Sequence, residues 1–489
     1  MKQNSVYLFV ALICFSVSSC EKDPIGNVIS LHDDSAVPVS EWSRYDVTMH
    51  DAERYVKLHD PDKTYEMTSY VEGADTLLYV YNFSDGWVVL SGDRRVGPVI
   101  AESPTGRLDM NDEQGYVSWI RSNAENILAL KEDGPEIDNK SVRMWDMIAP
   151  VSMNKVPQTK AAYKKWVIRE FPINQKTTWE TEVPHLIQTK WGQKSPWNMT
   201  APKDMTTLKK LPLMPETVDR CTIGCVAVAV SQLLYYLHYY IGKPNALYHD
   251  VSWTDSIFTR TSDIGFFRSG LVTDSNRWDD MLKDPYIDNR EAMQYVTDFM
   301  MDVGNRYGMK YSAETSNAGG SGCSMSPTAQ ILSEIYDISC KKADYNVSII
   351  QQQLYNGTPV LISGCFYDSK HEGMSAHAWL IDGLFVQRAR YTMMRYCEYT
   401  DNWTSFDETY DSFASAKAKY DFTGEYDIQT FVGTDDVEVL SFLMNWGENG
   451  SGDDVYYGVY DDWSYKSTYI YAGYDDNETY KRRIYYDFK

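Results

Sequence analysis

The chain has 489 residues, 43% of them hydrophobic, a size and composition that allow two or more domains with sizeable cores and exclude wholesale disorder. Acidic residues number 69 against 46 basic ones, and the formal net charge of −23 argues against nucleic acid, anionic surfaces and acidic substrates as partners. Eight scattered cysteines give neither the density of a disulfide scaffold nor the paired spacing of a zinc site, so no metal or other cofactor is expected.

Residues 1–20 place Lys2 before an apolar run from Val6 to Val17 and close on Val17-Ser18-Ser19-Cys20. The run is too short to span a bilayer and reads as a lipoprotein signal, with Cys20 as the lipidated first residue of an exported, outer-membrane or cell-surface protein. Contact with the membrane is expected only through that anchor. Residues 21–44 are polar and without periodicity, and read as a tether. From 45 to 135 a small α+β unit is expected. Asp51–Val56 starts a helix, Leu77–Tyr81 and Trp87–Leu90 flank an Asp85-Gly86 turn, Val96–Ile100 follows the turn at Ser91-Gly92-Asp93, and 117–130 form an amphipathic helix. Between 136 and 175 periodicity fades and Lys155, Lys160, Lys164 and Lys165 collect, which predicts an exposed linker open to a maturation cut.

The larger unit, 176–489, carries the chemistry. A turn-rich segment, Trp191 to Asn198, precedes the run Cys225–His238, in which Val226, Val230, Leu233, Leu234 and Leu237 share one face. That pattern predicts a buried helix with Cys225 at its start. A thiol there meets unpaired backbone N–H groups at the positive end of the helix dipole, which favours the thiolate. Gly224 removes a side chain beside the sulfur. If Cys221 and Cys225 formed a disulfide the nucleophile would be silenced, and both states remain open at this stage. Further helices are expected over Arg290–Tyr307, Thr328–Tyr336 and Ser348–Tyr355, then a strand at Val360–Ser363 and a second, containing His377, that ends in an Asp382-Gly383 turn. Residues 385–436 read as an insertion without clear pattern. Val437–Met444 is a strand closing on Asn445-Trp446-Gly447, and the Tyr-rich tail from Val455 alternates like two or three more strands. Helices first and strands last give the α+β class.

A cysteine nucleophile needs a histidine, an orienter for it, and donors for an oxyanion. His377 lies between Ala376 and Ala378, which leave its ring room; Asn445 closes the next long strand and is expected to hold that ring in one tautomer; Gln193 and the Cys225 N–H are the oxyanion donors. The order Gln, Cys, His, Asn resembles papain-like cysteine peptidases, and the local motifs resemble the streptopain family: Trp191-Gly192-Gln193 with Pro196-Trp197-Asn198, Gly224-Cys225-Val226-Ala227 with Gln232, Gly357-Thr358-Pro359-Val360, Ala376-His377-Ala378, and Asn445-Trp446-Gly447. Residues 47–130 look like that family's propeptide or inhibitor domain.

The resemblance implies a papain-like fold, a zymogen whose prodomain blocks the cleft as an intramolecular inhibitor, hydrolysis of protein or peptide substrates with a bulky apolar residue two before the scissile bond, and Trp446 stacked near His377 to shield its contact with Asn445. The chain departs from the family at Ser375, at the insertion 385–436, and after Gly447, where Glu448-Asn449-Gly450-Ser451-Gly452 stands in place of a second aromatic and more glycine. Two other readings share the residues: a Cys-His amidase or acyltransferase on cell-wall peptides, and a non-catalytic surface protein that binds a partner on the same scaffold.

Overall fold

The computed structural model describes residues 27–29, 43–112, 114–134, 140–149, 163–203, 220–244, 253–256, 265–268, 278–281, 283–285, 289–312, 320–368, 373–401, 403, 408–432, 437–459 and 482–489. The expected signal segment, residues 1–20 with Cys20, lies outside them. The chain opens with β1 (Asn27–Ile29) and α1 (Met49–His59). Thr48 starts the helix: its hydroxyl accepts from the Asp51 N–H while the Asp51 carboxylate accepts from the Thr48 N–H, which satisfies first-turn donors reciprocally. A meander follows, β2 (Tyr65–Glu72), β3 (Asp75–Phe83), β4 (Trp87–Ser91) and β5 (Val99–Ser103), then α2 (Gly115–Asp133) and α3 (Lys140–Ile148). β3, β4 and β5 are buried almost throughout, which suits their dense apolar runs, while β2 is buried only at Ser69 and Tyr70.

The rest of the chain runs β6 (Lys165–Val183), α4 (Cys225–Ile241), the separate pair β7 (Trp253–Ser256) and β8 (Gly265–Arg268), α5 (Arg290–Arg306), α6 (Thr328–Tyr336), β9 (Lys341–Asp344) and α7 (Val347–Tyr355). It ends with β10 (Val360–Asp368), β11 (Gly373–Thr400), β12 (Thr409–Tyr410), α8 (Phe413–Tyr420), β13 (Gln429–Val432), β14 (Val437–Asn445), β15 (Tyr456–Gly458) and β16 (Arg483–Tyr486). One antiparallel sheet runs β1-β2-β3-β4-β5-β15-β14-β11-β10-β16-β9, with β6, β12 and β13 joined beside β11. Helices on a large antiparallel sheet make the molecule α+β. The helical half has its own core, where Val226, Val230, Leu233 and Leu237 of α4 meet Val296, Phe299, Met300 and Val303 of α5.

Three expectations need correction. Within the stretch read as a tether, Asn27–Ile29 pairs with β2 in the register Asn27↔Val71. The stretch 136–175 is not the expected exposed linker where it is described, because Lys140–Ile148 is a helix that buries Val142, Met144, Trp145 and Ile148, and β6 begins at Lys165; Lys155 and Lys160 lie outside the described residues. The Asp382-Gly383 turn does not form. β11 runs straight through it to Thr400, pairs with β14 on one part and with β6 along Leu384–Thr400, and absorbs a bulge between Ile381 and Gly383. Gly383 is there for close approach: a Cβ would sit 2.7 Å from Leu443 Cδ1 and 2.9 Å from the Val183 carbonyl oxygen. The expected insertion is therefore a continuation of the sheet, capped by α8 over the small cluster Ile168, Cys397, Ala416 and Phe422.

Candidate active site

Cys225 is the first residue of α4, and Gly224 before it has φ +94° and ψ 135°, a backbone region that strains any residue with a side chain. The space beside Gly224 is already filled, since a Cβ would meet Met309 Sδ at 2.6 Å. The Ile223 N–H donates to the Gln193 carbonyl at 2.9 Å, which pins the Gln193 segment two residues before the sulfur. Cys225 carries a free thiol, so the silencing pairing with Cys221 is not formed.

His377 comes from β11, opposite Gly364 of β10. Its side chain shares a hydrogen bond with Cys225, and its Nε2 lies 3.0 Å from the Trp446 carbonyl oxygen, which leaves Nδ1 for the sulfur. Burial acts to raise the Cys225 thiol, but the charge of His377, the bond to it and the backbone bonds from Ala378 and Val226 outweigh it and bring the thiol below its ordinary value. For His377 burial acts downward, and the Cys225 charge and hydrogen bond, the Glu448 charge and the Trp446 carbonyl reverse it, holding the ring at about 9. The two shifts agree in sign with a thiolate beside an imidazolium.

Asn445 does not orient His377 through its amide as expected. Its Oδ1 accepts from Gln232 Nε2 at 2.8 Å and from the Gly447 N–H at 3.1 Å, while its Nδ2 donates to the Thr189 carbonyl at 3.0 Å and lies 3.3 Å from Asp453 Oδ2. The amide ties down the turn that follows β14, and the turn presents the Trp446 carbonyl to the ring. Trp446 is fully buried: its indole stacks at 5.6 Å on His377 and at 4.9 Å on Trp379, and its Nε1 donates to Tyr457 Oη at 2.8 Å. The stacking was expected; what the indole borders is its own carbonyl's contact with the ring. Gln193 is half-buried, and Gly192 beside it forms a backbone bridge with Glu448. Cys225, His377, Trp446 and the Gln193 segment thus converge, with Asn445 behind them.

Several contributors escaped the sequence reading. Trp379 extends the aromatic stack, and Gln232, which the sequence offers as part of the streptopain-like motif but without a role, is completely buried on a helix of apolar neighbours. Asp382, taken for a turn residue, is buried against His185 Nδ1 at 3.0 Å and the Ile187 N–H at 3.0 Å, and its charge carries His185 up to about 9 against the opposing effect of burial. Glu448 reaches into the N-terminal unit, where its Oε2 accepts from the Gly115 N–H at 2.9 Å at the start of α2. Among the described residues no cluster of His, Cys, Asp and Glu is arranged to hold a metal ion.

The arrangement fits what comparison with known proteins finds. Residues 191–457 match the model of the peptidase C10 family, and residues 38–127 match that of the Spi protease inhibitor. Streptopain of Streptococcus pyogenes is 23% identical over 321 residues, which cover 63% of this chain and 68% of streptopain. Among solved structures, a fragment of Prevotella intermedia prointerpain A is 17% identical with a TM-score of 0.49, over 86% of this chain and 98% of that one. Active interpain A from the same organism is 20% identical with a TM-score of 0.35, over 62% and 94%. With a family model that spans more than half its length, this chain belongs to the peptidase C10 family, the streptopain family of cysteine peptidases, and carries a Spi-inhibitor-like N-terminal region.

Proposed function

We propose that this cysteine peptidase is an exported endopeptidase made as a zymogen, with Cys225 and His377 as its reacting pair. The Cys225 thiolate attacks a peptide carbonyl, and the oxyanion takes N–H donors from the Gln193 side chain and the Cys225 backbone. His377 then gives its proton to the leaving amine, and the neutral imidazole takes a proton from water as it attacks the thioester, which breaks the C–S bond, frees the acid and restores the pair. Asn445 acts from behind by fixing the turn that aims the Trp446 carbonyl at His377. Residues 45–135 serve as the inhibitory prodomain, a cut within 136–175 starts maturation, and Cys20 anchors the precursor by lipid. No described helix is long and apolar enough to cross a membrane.

The observation that supports this reading is the placing of Cys225 at the start of α4 beside the His377 ring, whose Nε2 is held by the Trp446 carbonyl at 3.0 Å, so that each group's charge acts on the other, lowering the thiol and raising the ring. Cys225→Ala is expected to abolish hydrolysis of a denatured protein substrate under reducing conditions, with the circular dichroism spectrum and the cooperative unfolding of the parent retained. Turnover surviving in a folded Cys225→Ala protein would overturn the assignment.

A further inference from the structure

Two turns beyond Cys225 on the same helix, Gln232 faces three chain segments at once. Its Oε1 accepts from Thr189 Oγ1 at 2.9 Å and from the Trp191 N–H at 3.3 Å, and its Nε2 donates to Asn445 Oδ1 at 2.8 Å. Seven residues is close to two helical turns, so Gln232 leaves α4 on nearly the same side as Cys225. Trp191 leads directly into Gly192-Gln193, and Asn445 precedes the carbonyl that bonds His377 Nε2 at 3.0 Å. One buried amide therefore joins the helix that carries the sulfur, the segment that carries the oxyanion glutamine and the turn that orients the imidazole.

The chemistry of the site requires an amide. Asn445 Oδ1 needs a donor, whereas Thr189 Oγ1 and the Trp191 N–H need an acceptor, and glutamine offers both on one planar group without charge. A hydrocarbon of the same length would break the bonds to Thr189, Trp191 and Asn445 together in a fully buried site, leaving Asn445 Oδ1 with the Gly447 N–H at 3.1 Å. An ionised glutamate would turn a second oxygen toward Asn445 Oδ1. Asn445 is 2% exposed and is held on its other side by Thr189 and Asp453, so the turn cannot reach solvent for substitute partners without opening the core.

We propose that Gln232 is a positioning residue for the reaction, setting the spacing of the Cys225 sulfur and the His377 ring through Asn445 and Trp446. The inference rests on the Cys225–His377 reading above and adds the element that holds the pair in register. Two variants of the full chain test it, Gln232→Met and Gln232→Glu, each matured by a trace of the parent enzyme. Hydrolysis of a peptide substrate gives kcat and KM, and the pH dependence of alkylation by iodoacetamide, read on the Cys225 peptide by mass spectrometry, gives the thiol midpoint.

In Gln232→Met, kcat is expected to fall about 10- to 100-fold with KM little changed, the usual scale for a small misplacement of reacting groups, and the thiol midpoint to rise toward the ordinary value. Gln232→Glu is expected to lose as much at pH 8 but to recover relative to the parent near pH 5. There the protonated carboxyl again donates to Asn445 and accepts from Thr189 and Trp191, a recovery that a merely space-filling role would not produce. Parent-like kcat and thiol midpoint in both variants, or loss of kcat with an unmoved midpoint and no recovery in acid, would overturn the proposal. Should neither variant fold, Thr189→Val removes one of the same bonds more gently; it is expected to raise the midpoint and lower kcat several-fold, and no change in either would overturn the proposal. An ordinary midpoint for Cys225 in the parent would sink the active-site reading and this inference together, whereas a lowered parent midpoint that the variants keep removes only the role of Gln232.

Discussion

At the scale of single residues, the proposed pair makes His377 the group expected to set the upper pH limit of the reaction. The reactive form requires the thiolate and the imidazolium together, so kcat/KM should rise as pH passes the lowered Cys225 midpoint and fall as pH passes about 9, where His377 gives up its proton. Glu448 is one of the groups that hold the proton on, since its charge raises His377. Replacing Glu448→Gln in the matured enzyme is expected to move the alkaline limb downward and to reduce the rate at pH 9 by about twofold or more, leaving the rate at pH 7 close to the parent. A limb that stays in place would show that Glu448 does not act on the ring. The sequence made Cys225 and His377 legible because a thiol opening an apolar helix and a histidine between two alanines carry their chemistry in side chains. The orienter was misread for the opposite reason. A backbone carbonyl holds His377, and every residue has one, so no sequence signal separates the Trp446 carbonyl from the Asn445 amide beside it.

Among the elements, helices were easier to foresee than the long strands. α6 and α7 each bury one face and expose another, α2 and α5 are buried over most of their length, and the ends of all four fall within a few residues of the positions that periodicity indicated. β6 and the distal half of β11 give no such signal, because charged residues such as Arg169, Glu170, Arg395 and Glu398 sit along them in cross-strand pairs. Their partners lie more than 200 positions apart, as in Arg395↔Glu170, so local composition read one as a linker and the other as an insertion. The junction of β6, β11 and β14 at Gly383 decides whether this extension stays in register with the site, since Leu380↔Asn445 lies three residues away. Gly383→Ala would drive a methyl group against the Leu443 side chain and the Val183 carbonyl. The expected result is a loss of about 1–3 kcal/mol in urea unfolding, the usual cost of overpacking, accompanied by reduced kcat as the Asn445 turn shifts. An unfolding midpoint equal to that of the parent would mean that the bulge absorbs the methyl group freely.

Taken as one body, the molecule ties its inhibitor-like region to the peptidase by more than the connecting chain. β5 pairs with β15 at Ala101↔Tyr457 and Glu102↔Tyr456, making one continuous sheet, and Trp119 of α2 meets the Tyr457 ring edge-on at 5.1 Å. Val117, Ile120 and Ile127 of α2 belong to the same apolar cluster as Ile362, Trp379, Ile381 and Trp446. Burying those three side chains alone is worth about 5–9 kcal/mol, of the same order as the ~4–15 kcal/mol cost of holding two separate chains together. The remaining contacts favour association: the sheet bonds, the Gln114–Ser451 bond and the Glu448 carboxylate on the Gly115 N–H. Arg54 also spans the region of the proposed cut, donating to the Ile148 carbonyl at 2.8 Å on one side and to the Pro172 carbonyl at 2.7 Å on the other. A single cut between 150 and 162 should therefore leave the N-terminal fragment seated. In gel filtration the nicked Cys225→Ala protein is expected to elute as one species containing both fragments, and nicked active protein to gain full peptidase activity only once the N-terminal fragment is itself degraded. Separation of the fragments straight after the first cut, with full activity at that moment, would show that the covalent link and not the shared core holds the inhibitor-like region in place.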